Sequence, residues 1–240
     1  MTRSLPDDQL LTDYAAGALP AGLSLLVASH LTFSPESRRR VAQLERIGGA
    51  LLDLHATDPL GDETFAGPAP TPPSLEAMMA RLDREGPRAP APAPAPERAA
   101  KPPAAAPGSP FPAPLRAAMD GLGLDGTGPE GVPWKKMLPG LSEYVIEGLG
   151  EPHEEVSLLR ARPGAPIFGH THTGVETTLV LCGQLQDRGR VYEAGEVSIA
   201  DHDDDHRPRI VGEDICICLV VMTGEMRFTG RLTRVLNYLT

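Results

Sequence analysis

Between Gly86 and Pro114 the chain reads GPRAPAPAPAPERAAKPPAAAPGSPFPAP, eleven prolines in 29 residues. Proline fixes φ and has no backbone N–H to donate, so neither a helix interior nor a central strand can run through such a segment. It predicts an extended polyproline II spacer rising about 3.1 Å per residue. Its simplest role is a solvated linker, with a PxxP docking ligand as the alternative. Whatever folds must therefore fold in residues 1–85 or in residues 115–240, and the two stretches have different textures.

Residues 1–85 read as a small helical domain. Leu10, Leu11, Tyr14, Ala15 and Ala18 recur at helical spacing before Pro20 stops them, and Leu23, Leu26, Val27, His30 and Leu31 repeat the pattern. A third stripe runs Val41, Leu44, Ile47, Leu51, Leu54. Its start is well marked, with Ser34 suited to an N-cap and Pro35 to the first helical position. A short fourth helix is predicted after Ser74, with Leu75, Met78, Met79 and Leu82 on one face. Residues 115–240 instead alternate short apolar runs with Gly, Pro and Asp: Tyr144–Ile146, Val156–Leu159, Thr177–Leu181, Val197–Ile199, Ile215–Met222 and Met226–Phe228. Short strands at this spacing predict an all-β sandwich or barrel.

Charge excludes whole classes of function. Lys and Arg total 22 against 32 Asp and Glu, a net charge of −10, and neither folded half is basic. Binding nucleic acid directly requires cationic surface that displaces counterions from phosphates, and docking on anionic lipid requires the same. The longest apolar run, Ile215–Met222, is far short of the ~20 residues that span a bilayer. Asp7, Asp8 and Asp13 interrupt the N-terminal segment, which does not read as a secretory signal. The expectation is a cytoplasmic protein with no membrane or nucleic-acid partner. Three cysteines, Cys182, Cys216 and Cys218, are too few for a disulfide framework. Cys216 and Cys218, two apart in an apolar run, read as small core residues.

The sharpest chemical signal is Gly164-x5-His170-x-His172-x3-Glu176-x6-Gly183, followed by Gly195-x10-His206. Two residues apart on a strand, His170 and His172 leave the same face. Three imidazoles and a carboxylate form a borderline-to-hard donor set suited to one divalent metal, zinc first, with Fe, Mn, Ni or Cu also chemically reasonable. Four protein ligands on zinc favour a structural or sensing site, because catalysis generally needs an open position; iron or manganese would reopen chemistry such as dioxygen activation. His202, in the acidic run before His206, is an alternative imidazole, although the spacing favours His206. No set of acid–base partners stands beside these ligands, so no catalytic residue is assigned.

This pattern resembles the cupin family, whose first motif is G-x5-HxH-x3,4-E-x6-G. Every fixed position of that motif is present. The second cupin motif is half present: Gly195 and His206 keep their separation, while Asp201, Asp203 and Ile210 replace its Pro, Gly and Asn. The resemblance implies a double-stranded β-helix barrel over residues 115–240, with His170, His172, Glu176 and His206 as metal ligands.

The order of parts resembles the ChrR-type anti-sigma factors. The resemblance rests on LLTDYAAGALP (Leu10–Pro20), LVASHLTF (Leu26–Phe33) and the Arg38–Leu52 stretch with Gly48 and Gly49, and on HTHTGVETTLVLCG, GEVSIAD and DICICL in the second half. It implies that residues 1–85 sequester an extracytoplasmic-function sigma factor. It also implies that the cupin responds to oxidative stress such as singlet oxygen or organic hydroperoxides and releases the sigma factor. Members of the family bind a zinc ion in the first domain through an upstream His and His-x3-Cys-x2-Cys. Here the second part is His30-x3-Ser34-x2-Ser37, and Leu5 stands at the upstream position. A serine hydroxyl stays protonated near neutral pH and is a poor zinc ligand, so no zinc is expected at His30, Ser34 and Ser37. Two other readings of the chain are a metal-dependent cupin dioxygenase or oxidoreductase with a vestigial N-terminal domain, and a cupin that binds a small ligand without turnover.

Overall fold

A computed structural model describes residues 5–55, 109–124 and 126–230. The predicted fourth helix after Ser74, and all of the proline-rich spacer up to residue 108, lie outside the described residues. Three helices form where the periodicity places them: α1 (Asp8–Ala15), α2 (Ala21–Phe33) and α3 (Pro35–His55). Asp7 caps α1, its Oδ1 accepting the Leu10 N–H at 2.7 Å. Ser34 does the same for α3, accepting the Ser37 N–H at 3.2 Å, with Pro35 in the first turn. Each such cap stabilises its helix by about 1 kcal/mol.

α2 is apolar nearly all round, as befits a helix covered on more than one side. Its Val27 packs with Leu11 of α1 and Val41 of α3. Its Leu25 and Leu26 enter a second core with Phe111, Leu115 and Met119 and the barrel residues Val156, Leu158, Leu179 and Leu219. Leu115 and Met119 belong to α4 (Ala113–Gly121), a helix that begins inside the segment expected to be linker and precedes the strands. Burial of a leucine such as Leu26 contributes about 2 kcal/mol, so the helices and the barrel stabilise one another.

Among the described residues eleven strands follow: β1 (Lys135–Leu138), β2 (Leu141–Val145), β3 (Glu154–Ala161), β4 (His170–His172), β5 (Glu176–Cys182), β6 (Gln184–Asp187), β7 (Arg190–Glu193), β8 (Val197–Ala200), β9 (Arg209–Val211), β10 (Cys216–Thr223) and β11 (Met226–Phe228). They form a six-stranded sheet in the order β1-β2-β3-β10-β5-β8, a three-stranded sheet β7-β6-β9 and a pair β11-β4. Every strand pairing is antiparallel, the cupin-like architecture that the motif implied. Side chains alternate along β3: Val156 and Leu158 face the helices, whereas Ala161 and Leu159 face an inner core with Val180, Leu185, Ile210, Cys216 and Cys218.

Two glycines let α2 reach the barrel. A Cβ at Gly22 would lie 2.5 Å from Val156 Cγ2. Gly195, in the turn between β7 and β8, has φ +88°, and a Cβ there would lie 2.4 Å from Phe33 Cβ. Its place in the second cupin motif thus has a local reason: only glycine takes this backbone without strain and leaves room for Phe33.

Candidate metal centre

The four residues singled out by spacing come together. One side-chain donor atom from each of His170, His172, Glu176 and His206 lies within 4.8 Å of all the others. The three imidazoles are buried, at 4%, 2% and 4% exposure, and Glu176 is half-buried. Period-two geometry puts both β4 histidines on one face. A single backbone bridge then pins His206 beside them, the His170 N–H donating to the His206 carbonyl and the His206 N–H to the His170 carbonyl, each at 3.0 Å. Glu176 opens β5. His202, the alternative imidazole, is exposed beside Asp203 and stands outside the cluster.

The hydrogen bonds around the cluster decide which nitrogens face inward. His170 Nδ1 lies 2.7 Å from the Phe168 carbonyl, which can only accept, so Nδ1 carries the proton and the Nε2 lone pair is free to point inward. His206 Nδ1 lies 3.0 Å from Asp187 Oδ2, with the same consequence. The inward atoms are close: His172 Nε2 to His206 Nε2 2.9 Å, His172 Nε2 to Glu176 Oε2 3.5 Å, and His170 Nε2 to Glu176 Oε2 3.8 Å. Donors at about 2.0–2.1 Å from a tetrahedral ion would stand about 3.3 Å apart, so the residues fit a divalent metal. His172 presents Nε2 to His206 and Glu176, while its buried Nδ1 has no hydrogen-bond partner. Thr178 Oγ1 donates to Glu176 Oε1 at 3.0 Å and steadies the carboxylate.

Electrostatics follow from this crowding. Burial pushes the Glu176 carboxyl up, but hydrogen bonding and charge from the three imidazoles outweigh it, and the net direction is down. Burial holds His172 below the ordinary histidine value. For His170 burial acts the same way, and the Glu176 carboxylate and Phe168 carbonyl overcome it to raise the ring. Asp187 was not legible as a functional residue. It sits at the end of β6, 2% exposed, and orients His206 through Nδ1 as a carboxylate–histidine pair does around metals. Burial raises its carboxyl, but His206 and then Arg188 leave it depressed.

The remnant of the N-terminal zinc motif has a different arrangement. His30, Ser34 and Ser37 are all buried, at 0%, 3% and 1%. His30 Nδ1 donates to the Gly195 carbonyl at 2.8 Å. That leaves Nε2 as the acceptor for the Ser37 hydroxyl, also at 2.8 Å. The Ser34 hydroxyl donates to Ser37 Oγ at 3.0 Å. Burial holds His30 below the ordinary histidine value, which suits a neutral ring that both donates and accepts. Both nitrogens are used within the protein, and one of them ties α2 to the barrel. Cys216 and Cys218 lie in the inner core with Sγ atoms 3.7 Å apart. The hydrogen bond with Cys216, and then burial, push the Cys218 thiol up, away from thiolate reactivity.

Residues 126–226 match the family described as a ChrR cupin-like domain. The anti-sigma-E factor ChrR of Cereibacter sphaeroides is 34% identical over 230 residues, covering 96% of this chain and 94% of that protein. Among solved structures, the crystal structure of Rhodobacter sphaeroides SigE in complex with the anti-sigma ChrR matches 92% of this chain and all of that one, at 31% identity and a TM-score of 0.62. An RmlC-like cupin protein from Ralstonia eutropha matches 46% of this chain and 83% of its own, at 20% identity and a TM-score of 0.39.

Proposed function

This chain belongs to the ChrR family of anti-sigma factors, and from that premise we propose that it sequesters an extracytoplasmic-function sigma factor through the helices of residues 1–85. The observation that carries this reading is that one relative aligns along both halves together, helices as well as barrel. α3 supports it: large apolar side chains point outward, Ile47 at 50% exposure and Leu52 at 72%, as a helix that docks on a protein partner requires. No described helix is long and apolar enough to cross a membrane, and a net charge of −10 disfavours direct binding to DNA, so the proposed target is the sigma factor and not its promoter.

The barrel is the regulatory half of this proposal. His170, His172, Glu176 and His206 hold one divalent ion, zinc being the first candidate for four such donors, and Asp187 orients His206. When bound, that ion supplies a positive charge that ties β4, β5 and the His206 segment together. Oxidative stress, such as singlet oxygen or an organic hydroperoxide, perturbs this centre and releases the sigma factor. A contiguous route leads from the cluster to the helices. Glu176 starts β5, and further along β5 the Val180 carbonyl accepts the Gly195 N–H at 2.8 Å. The Gly195 carbonyl in turn accepts from His30 of α2.

Because the helices share a core with the barrel, the test uses the whole chain. Purified full-length protein, loaded with zinc, is mixed with extracytoplasmic-function sigma factors of the source organism. The expected result is a stable complex on size exclusion that blocks binding of that sigma factor to core polymerase. It should dissociate after treatment with a singlet-oxygen generator or an organic hydroperoxide. Folded chain that binds no such sigma factor overturns the anti-sigma reading, and a complex indifferent to both oxidants overturns the sensing part alone.

A further inference from the structure

Beside the histidine cluster the barrel interior carries a cavity of about 290 Å³, at the lower end of the size of small-molecule sites. Its walls are the inward side chains of adjacent strands. Strand register sets Leu159 beside Cys218, Ser157 beside Val220 and Glu155 beside Met222, and on the next strand Val220 beside Thr178 and Met222 beside Glu176. The row Glu155–Met222–Glu176 crosses β3, β10 and β5, so two strand spacings, about 9.6 Å, separate the two glutamates. The cavity therefore runs from His170 and Glu176 at one side to Glu155 and Glu143 at the other. Phe168 and Phe228, ring centroids 6.2 Å apart and edge to face, border it as well.

We propose that this cavity binds a neutral, hydrocarbon-rich small molecule, its apolar body against Leu159, Val220 and Phe168 and one end against the histidine cluster. Three observations select that chemistry. The lining is dominated by aliphatic, thioether and aromatic side chains, which gain from removing hydrocarbon from water. Among the described residues that line it there is no lysine or arginine, while Glu143 and Glu155 place carboxylates at the end away from the histidine cluster, so an anionic group at that end meets repulsion with no cationic side chain to offset it. Lys135 of β1 stands in register with Glu143 but outside the cavity, and its charge only partly offsets what burial and Glu155 do to that carboxyl. Burial, and after it the charge of Glu155, push the Glu143 carboxyl up, which favours a neutral hydroxyl or N–H donor at that end. The site lies where a bound molecule touches the candidate ligands directly. It needs neither the sigma factor nor the anti-sigma reading, which complex formation tests separately.

Two fluorescent probes of similar size, neutral N-phenylnaphthylamine and anionic anilinonaphthalene sulfonate, test the proposal on the full chain, with zinc and after chelation. The neutral probe should bind saturably at one site, and the anionic one at least about tenfold more weakly. Val220→Phe, which fills the cavity from β10, should weaken the neutral probe at least about tenfold, with Leu159→Phe as a second variant should the first fail to fold. The pair Glu143→Gln and Glu155→Gln should narrow the gap between the probes by strengthening the anionic one. A wild-type chain that binds the neutral probe without saturation overturns the proposal. So does equal binding of the two probes, or undiminished binding in both filled variants.

Discussion

The described residues hold two buried polar groups built on histidine, and their surroundings differ in what they leave unspent. In the barrel, His170 and His206 commit Nδ1 to acceptors, so their Nε2 lone pairs converge with His172 and Glu176. In the helices, His30 commits both nitrogens, one to Gly195 and one to Ser37. The first set turns donor atoms toward one another, as a cation site requires, whereas the second is satisfied by partners within the protein. In both groups a buried histidine donates from Nδ1 to a backbone carbonyl, and what Nε2 meets differs: convergent donor atoms in the barrel, a serine hydroxyl in the helices.

Metal content should separate the two sites most. Full-length protein should retain about one divalent ion per chain after dialysis, and His172→Ala or His206→Ala should retain almost none, because each ligand lost removes much of a metal's binding free energy. Metal analysis on wild type, both variants and His30→Ala checks this. A second equivalent that disappears in His30→Ala would erase the distinction between the two clusters.

Next in size is the joint itself. His30→Ala removes a fully buried ring and strands the Ser37 hydroxyl and the Gly195 carbonyl. Together these should destabilise the fold by about 3 kcal/mol, with metal content unchanged. Urea unfolding at neutral pH measures it. A variant as stable as wild type would mean that the hydrogen bonds between α2 and the barrel carry little of the association.

On the barrel side the outer partner of His206 is Asp187. Asp187→Asn keeps the shape but removes the charge that fixes the His206 ring, and should weaken metal binding about tenfold, the lower end for such outer partners. Competition with a chelator resolves that, and unchanged affinity would assign His206 orientation to its backbone bridge with His170 instead.

Legibility follows the range of each interaction. The His170, His172, Glu176 set was readable because strand periodicity, a local rule, already puts the first two on one face. Ser34–Pro35 announced the start of α3 in the same way. Asp187 was not readable: in QLQDRGR it has the look of a turn residue, and only the fold brings it to His206, nineteen positions on. The joint was hidden for a stronger reason. His30 and Gly195 are 165 residues apart, and the glycine reads simply as a motif position until Phe33 is seen against it. Leu115 and Met119 have helical spacing, but the prolines before them hide the start of α4, whose N-cap position is Pro112 with no side-chain hydrogen bond to mark it.

Protonation of His30 should have the smallest effect. Burial lowers the His30 value below that of the unfolded chain, so the unfolded state takes up a proton first as pH falls. The stability that comes from a neutral His30 is complete above the unfolded value of about 6.5 and is lost progressively below it, toward the lower folded value. His30→Asn can still donate to Gly195 through its amide and cannot titrate. Between pH 7.5 and pH 5.5, values chosen to be about one unit either side of the unfolded value, wild type should lose more stability than this variant does. Acid effects on the barrel histidines are common to both proteins and cancel in the difference. Parallel losses in the two proteins would mean that His30 is already protonated when folded. Its Nε2 could then not accept from Ser37, and the claim that this cluster closes on itself would fail.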